Sequence, residues 1–199
     1  MKIGIIGIGS LTLELARRSA LAGYEVMVNN PRGNSLVRDT IAKIGSNIKL
    51  GPLCETASAD IIIFFVPKDN LESVIRNLPD MSGKIILYTS GLIFNPQSLL
   101  SGISNALTYQ ITASLLPSAH VVKLFHPVRL ESKKDDLKEK KDEIFYIANH
   151  TGSKHTVRTF LKNLNFSAIN LSGRLHPVGV DLNAGITPVV IQPSGFYSN

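Results

Sequence analysis

The chain has 199 residues, 44% apolar and 18% charged, which fits one compact domain, or a domain with a small extension, and excludes a disordered chain. The net charge of +6 is scattered, and the densest charge run, Lys133–Glu143, holds five lysines and five acids, so it reads as a solvated loop or frayed helix and not as a nucleic-acid stripe. Cys54 is the single cysteine, and no apolar run approaches the roughly 18–20 residues of a membrane span, so the expectation is a soluble cytoplasmic protein with no membrane or nucleic-acid partner.

Apolar strand-like runs alternate with helix-like segments along the chain. Lys2–Ile8 reads as the first strand, followed by a helix over Leu11–Ala22 with Leu11, Leu15, Ser19 and Ala22 on one face and Gly23 as its C-terminal cap. Glu25–Asn29 is the second strand, and a helix begins near Ser35. Ile48–Leu50 and Asp60–Val66 follow as strands, the latter continuously apolar, as expected where helices cover both faces of a parallel sheet. Asp69 is placed as the N-cap of a helix through Asn77, with Glu72 completing a capping box. Lys84–Thr89, Val121–Phe125, Ile144–Ala148 and Ser167–Leu171 complete the strands, with a helix at Thr156–Leu164. The fold class is α/β: a doubly wound, mostly parallel Rossmann-type sheet with a short C-terminal α/β extension. Residues 1–128 are assigned to the dinucleotide-binding domain, and 129–199 to the extension, packed on the same sheet.

Gly4-Ile5-Ile6-Gly7-Ile8-Gly9-Ser10-Leu11-Thr12 lies between the first strand and first helix. Gly7 permits the tight turn, Gly9 lets the backbone approach a pyrophosphate, and the amides from Ile8, Ser10 and Leu11 onward face the anion. Thr12 stands in place of the third glycine and must fit between helix and sheet. The second strand ends in Val28-Asn29-Asn30-Pro31-Arg32-Gly33, without the acid that binds the ribose 2′-hydroxyl of NAD. Arg32 can pair with a 2′-phosphate and Asn30 can hydrogen-bond to it, so NADP is the expected cofactor.

Further strand-end segments line the same rim: Val66-Pro67, Thr89-Ser90-Gly91 and Phe125-His126-Pro127. Val66, Pro67 and Ser90 are candidate cofactor contacts. His126 is the candidate catalytic residue, able to bond the nicotinamide carboxamide or the polar edge of an acceptor. His120, His150, His155 and His176 show no metal-ligand spacing, so no metal is expected.

Gly7-Ile8-Gly9-Ser10-Leu11, Asn30-Pro31-Arg32-Gly33-Asn34-Ser35-Leu36, Val66-Pro67, Gly83-Lys84-Ile85-Ile86 and Val121-Val122-Lys123-Leu124-Phe125 together resemble the NADP oxidoreductase family that uses the deazaflavin coenzyme called factor 420. The resemblance covers roughly residues 1–175. It implies hydride transfer between NADPH and a flat redox acceptor, a deazaflavin or flavin, stacked on the nicotinamide, with the cofactors carrying the chemistry. Two other readings share the fingerprint. One is a non-catalytic NADP(H)-binding sensor or regulatory protein. The other is a fragment of a pyrroline-5-carboxylate reductase-like or β-hydroxyacid dehydrogenase-like enzyme, although the segment after Pro127 reads as mixed α/β and not as a helix bundle. Apolar residues near Val189–Ile191 either seal a homodimer or finish the core.

Overall fold

The computed structural model describes residues 1–89, 111–127, 141–148 and 150–172. Its strands are β1 (Lys2–Ile6), β2 (Glu25–Asn29), β3 (Ile48–Leu50), β4 (Ile61–Phe64), β5 (Ile85–Thr89), β6 (His120–Leu124), β7 (Glu143–Ala148) and β8 (Ser167–Asn170). Its helices are α1 (Ser10–Leu21), α2 (Arg38–Ala42, preceded by a 3-10 turn at Asn34–Val37), α3 (Leu53–Ala57), α4 (Lys68–Arg76) and α5 (Thr151–Asn163). The strands form one sheet in the order β3-β2-β1-β4-β5-β6-β7-β8. The first six are parallel, as in a doubly wound Rossmann sheet. β7 runs antiparallel to β6, and β8 returns parallel to β7.

Both faces of the central strands are buried, which is why they read as unbroken apolar runs. On one face Leu15 and Ala16 of α1, with Val157, Phe160 and Leu161 of α5, cover Ile3, Ile5, Leu87, Val122 and Leu124. On the other, Ala57, Leu71 and Val74 cover Ile6, Ile62, Phe64 and Ile86. Arg18 of α1 links α1 to segments more than 120 residues further along the chain. It pairs with Glu14 and with Asp142, and its guanidinium lies 4.0 Å from the centre of the Phe166 ring.

Several local expectations change. The N-cap position of α4 is Pro67, whose fixed φ already suits a helix entry, so Asp69 lies inside the helix and no capping box forms. Glu72 instead pairs with Arg76 one turn later. α5 starts at Thr151, capped by His150, whose Nδ1 accepts from the Ser153 amide. Ala22 is exposed and serves as the C-cap of α1, while Gly23 adopts φ +82° as the turn requires. The end of the charge run is not a solvated loop, since Asp142 pairs with Arg18 and β7 begins at Glu143. Residues 133–140, the domain boundary at 128 and the apolar stretch near Val189–Ile191 lie outside the described residues.

Candidate functional site

The glycine turn lies at the end of β1, between the ends of β2 and β4. Gly7 leaves β1 at φ +90°, and its amide donates to the Asn29 carbonyl at the end of β2 over 2.8 Å. A Cβ at Gly7 would overlap the carbonyl oxygen of Phe65, so both conformation and space demand glycine. Gly9 is the N-cap residue of α1 in an extended conformation. Thr12, which the sequence presented as a missing glycine, has a positive role. Its hydroxyl accepts from the Gly9 amide at 2.8 Å and donates to the Gly9 carbonyl at 3.1 Å, while its side chain is buried. The threonine therefore closes the turn that the third glycine would otherwise leave to packing.

No side-chain cap bonds to the amides at the start of α1, and no acid lies in its first turn. Those amides and the positive end of the helix form the anion-binding feature expected of a phosphate loop. Ser10 is exposed there, Ile8 is half-buried, and Leu11 is buried against the sheet.

The exit of β2 is a compact turn. The Asn30 amide donates to Asn34 Oδ1 over 2.8 Å, and Asn30 Nδ2 donates to the Gly33 carbonyl over 2.9 Å. Asn34 Nδ2 and Asn29 Nδ2 both donate to the Gly51 carbonyl. Asn30 thus builds the turn that carries Arg32, a role the sequence reading gave wholly to ligand contact. Asn34 shares it and was not singled out as a functional residue, because an asparagine after Gly33 signals only a turn. Arg32 is exposed, and among the described residues no carboxylate forms an ion pair with it.

Gly7, Ile8, Asn30, Pro31 and Arg32 face Phe65, Val66, Pro67 and Asn70 across a cleft of about 80 Å³. The structure therefore brings together the turn of β1, the turn of β2 and the exit of β4. Asn70, from the first turns of α4, and Phe65 join the lining without having been picked out from sequence. Phe65 was hidden inside an apolar run that reads as core. Among the described residues the lining carries one cation and no carboxylate. Ser90 lies outside the described residues. His126 sits two residues beyond β6, half-buried, and burial holds its imidazole below the usual histidine range. It does not line this cleft. β6 is two strands from β4, roughly 10 Å along the rim at ordinary strand spacing.

A larger groove of about 390 Å³ lies between the C-terminal ends of α1 and α5, lined by Arg17, Arg18, Asp142 and Asn163 among others. Its arginines are already paired with Glu14 and Asp142, and helix C-termini present carbonyl oxygens, so it is the poorer anion site. Among the described residues no helix is long and apolar enough to cross a membrane, and no group of three His, Cys, Asp or Glu is placed to hold a metal ion.

Residues 2–90 match the family described as NADP oxidoreductase, coenzyme F420-dependent. This bears out the resemblance read from the sequence. The chain is 23% identical over 175 residues to the metalloreductase STEAP3 of Rattus norvegicus, covering 85% of this chain and 33% of that protein. It thus spans about a third of the length of this curated relative. Among solved structures it is similar to a hypothetical protein of Sinorhizobium meliloti, with TM-score 0.69, 26% identity, and coverage of 86% of this chain and 85% of the other. It shares its fold with a candidate F420-dependent NADP reductase of Arthrobacter, with TM-score 0.62, 18% identity, and coverage of 86% and 84%.

Proposed function

We propose that this chain, whose residues 2–90 belong to the F420-dependent NADP oxidoreductase family, binds NADP(H) and passes hydride between it and a flat redox acceptor such as a deazaflavin or flavin. The observation that carries the reading is the junction of two features. A helix N-terminus without a capping side chain follows the glycine turn, and an exposed arginine, with no carboxylate ion-paired to it among the described residues, closes the next strand. The first suits a pyrophosphate and the second a 2′-phosphate. The residues fit the cofactor on charge as well: among the described residues the cleft lining has no acid to repel phosphate.

In this reading Gly7 and Gly9 shape the turn, their own amides being bonded to Asn29 and Thr12, and the amides of Ile8, Ser10 and Leu11 hold the pyrophosphate with the helix end. Arg32 supplies the charge-assisted bonds to the 2′-phosphate, and Asn30 holds the turn that aims it and adds a bond of its own. Val66 and Pro67 form the wall beyond β4. NADPH, when bound, would supply the hydride, the acceptor would take it with a balancing proton from solvent, and no side chain of this chain is required to supply that proton. His126, held below its usual pKa by burial, is neutral at physiological pH. A neutral imidazole offers one donor and one acceptor to the carboxamide or to the acceptor's ring edge.

The test is turnover. Purified protein is mixed with NADPH and a panel of deazaflavin, flavin and ferric acceptors, and the nicotinamide absorbance is followed. Oxidation with at least one acceptor is expected. Tight NADPH binding without oxidation by any of them would instead identify a sensor of cofactor redox state.

A further inference from the structure

The space directly above Gly9 is filled by an aromatic ring. A Cβ built on Gly9 would stand 2.8 Å from Cε1 and 3.1 Å from Cδ1 and Cζ of Phe65. In a Rossmann turn the second glycine is bare so that a pyrophosphate can reach the backbone. Here the phenyl group occupies that lane. The remaining cleft of about 80 Å³ is small beside the roughly 300–1,000 Å³ of ordinary ligand sites. It has room for a phosphate-sized group near Arg32, while the ring covers the way across Gly9.

The backbone of Phe65 is not free to open the site. Its amide donates to the Ile6 carbonyl over 2.8 Å, and its own carbonyl fills the position that a Gly7 side chain would need. The side chain, by contrast, is only half-buried. Opening therefore falls to rotation of the ring about its χ angles, a motion of picoseconds to nanoseconds for exposed groups.

We propose that Phe65 is a specificity-determining residue: its ring covers Gly9 and must swing aside before the pyrophosphate and nicotinamide half of NADP(H) can seat. The adenosine 2′-phosphate end, held by the turn at Asn30 and Arg32, engages without that motion. Phe65 thereby sets a difference in affinity between ligands that reach across Gly9 and those that stop short of it. A ligand needing the open rotamer binds more weakly by the fraction of molecules that hold it. This inference rests on the NADP(H) reading of the site.

Calorimetric titration with two probes, NADPH and adenosine 2′-monophosphate, separates the cases. Phe65→Ala removes the ring and is expected to tighten NADPH binding by about three- to tenfold, the scale of relieving a minor-state requirement. Affinity for the monophosphate should change by less than about twofold, because that probe has the 2′-phosphate but no 5′-phosphate to place over Gly9. Phe65→Leu, which keeps apolar bulk if the alanine variant folds poorly, should shift the NADPH-to-monophosphate ratio in the same direction by a smaller factor. An unchanged ratio, or weaker NADPH binding in either folded variant, overturns the proposal and makes the ring a spectator or a platform. If the wild-type protein binds neither probe, the NADP(H) reading itself fails and this inference falls with it.

Discussion

Replacing Lys123 by methionine should remove a pH dependence of stability that the wild-type fold cannot avoid. Lys123 lies on β6 between Tyr88 of β5 and Ile147 of β7, and its side chain is 0% exposed. Its Nζ sits 4.7 Å from the centre of the Tyr88 ring and 5.8 Å from that of Phe125. Burial lowers the amine from its ordinary 10.5 to about 8. Below pH 8 the ammonium is present in both folded and unfolded chains, and the cost of burying it is felt in full. Between pH 8 and 10.5 the folded chain releases the proton while the unfolded chain keeps it, so stability rises with pH. A gap of that size corresponds to about 3 kcal/mol in all, and to about 2 kcal/mol between pH 7.5 and 9.5. Burial pushes the Tyr88 and Tyr146 hydroxyls upward, so they oppose the trend only as pH rises through 10, above the range tested. Urea unfolding at half-unit pH steps over pH 7.5–9.5, with m-values held constant across the series, measures it. The wild type should gain stability over that range, and Lys123→Met should be flat to within about 0.5 kcal/mol relative to it. Equal slopes in the two proteins would refute the argument that this amine is desolvated.

The other expectations concern the site and its supports. Arg32→Glu should weaken NADP(H) binding by about 1–3 kcal/mol, through a lost charge-assisted bond and added repulsion, with NAD(H) binding little changed; a competition titration reads the ratio. Gly7→Ala should cost at least about 2 kcal/mol of stability, because φ is +90° and the new methyl meets the Phe65 carbonyl, and a fall in the thermal midpoint checks it. Thr12→Val, which keeps the shape and deletes the hydroxyl, should cost about 1–2 kcal/mol by leaving the Gly9 amide without its partner, measurable by urea unfolding. The Arg17 guanidinium, hydrogen-bonded to Glu14, helps to hold that carboxyl at about 2 instead of 4.5. Its contribution is present above pH 4.5 and lost as pH falls toward 2. Glu14→Gln should therefore lose less stability than the wild type across that window in acid unfolding.

The sheet was legible because its central strands are buried on both faces. Ile61–Phe64 and Lys2–Ile6 are nearly unbroken apolar runs, and no surface helix produces that pattern. Short elements were not legible. α3 spans five residues, fewer than two helical turns, so no periodicity can establish it. The first turn of α5 is Thr151-Gly152-Ser153-Lys154, polar enough to hide behind the apolar stripe that begins at Val157. The site divides in the same way. Gly7 and Gly9 announce themselves, since few residues satisfy their geometry. Thr12 looked like a defect because its bond to Gly9 depends on a helix start that only coordinates show. Phe65 looked like core because it continues the β4 run, yet the strand ends one residue earlier and its ring turns to the cleft.

Calorimetric titration of the wild-type protein with NADPH and with NADH, in one buffer at one ionic strength, tests the central claim most directly. With Arg32 on the 2′-phosphate, NADPH should bind more tightly by about 1–3 kcal/mol, or roughly five- to 150-fold. Equal affinity for the two, or heat from neither, would contradict the assignment of this cleft to NADP(H).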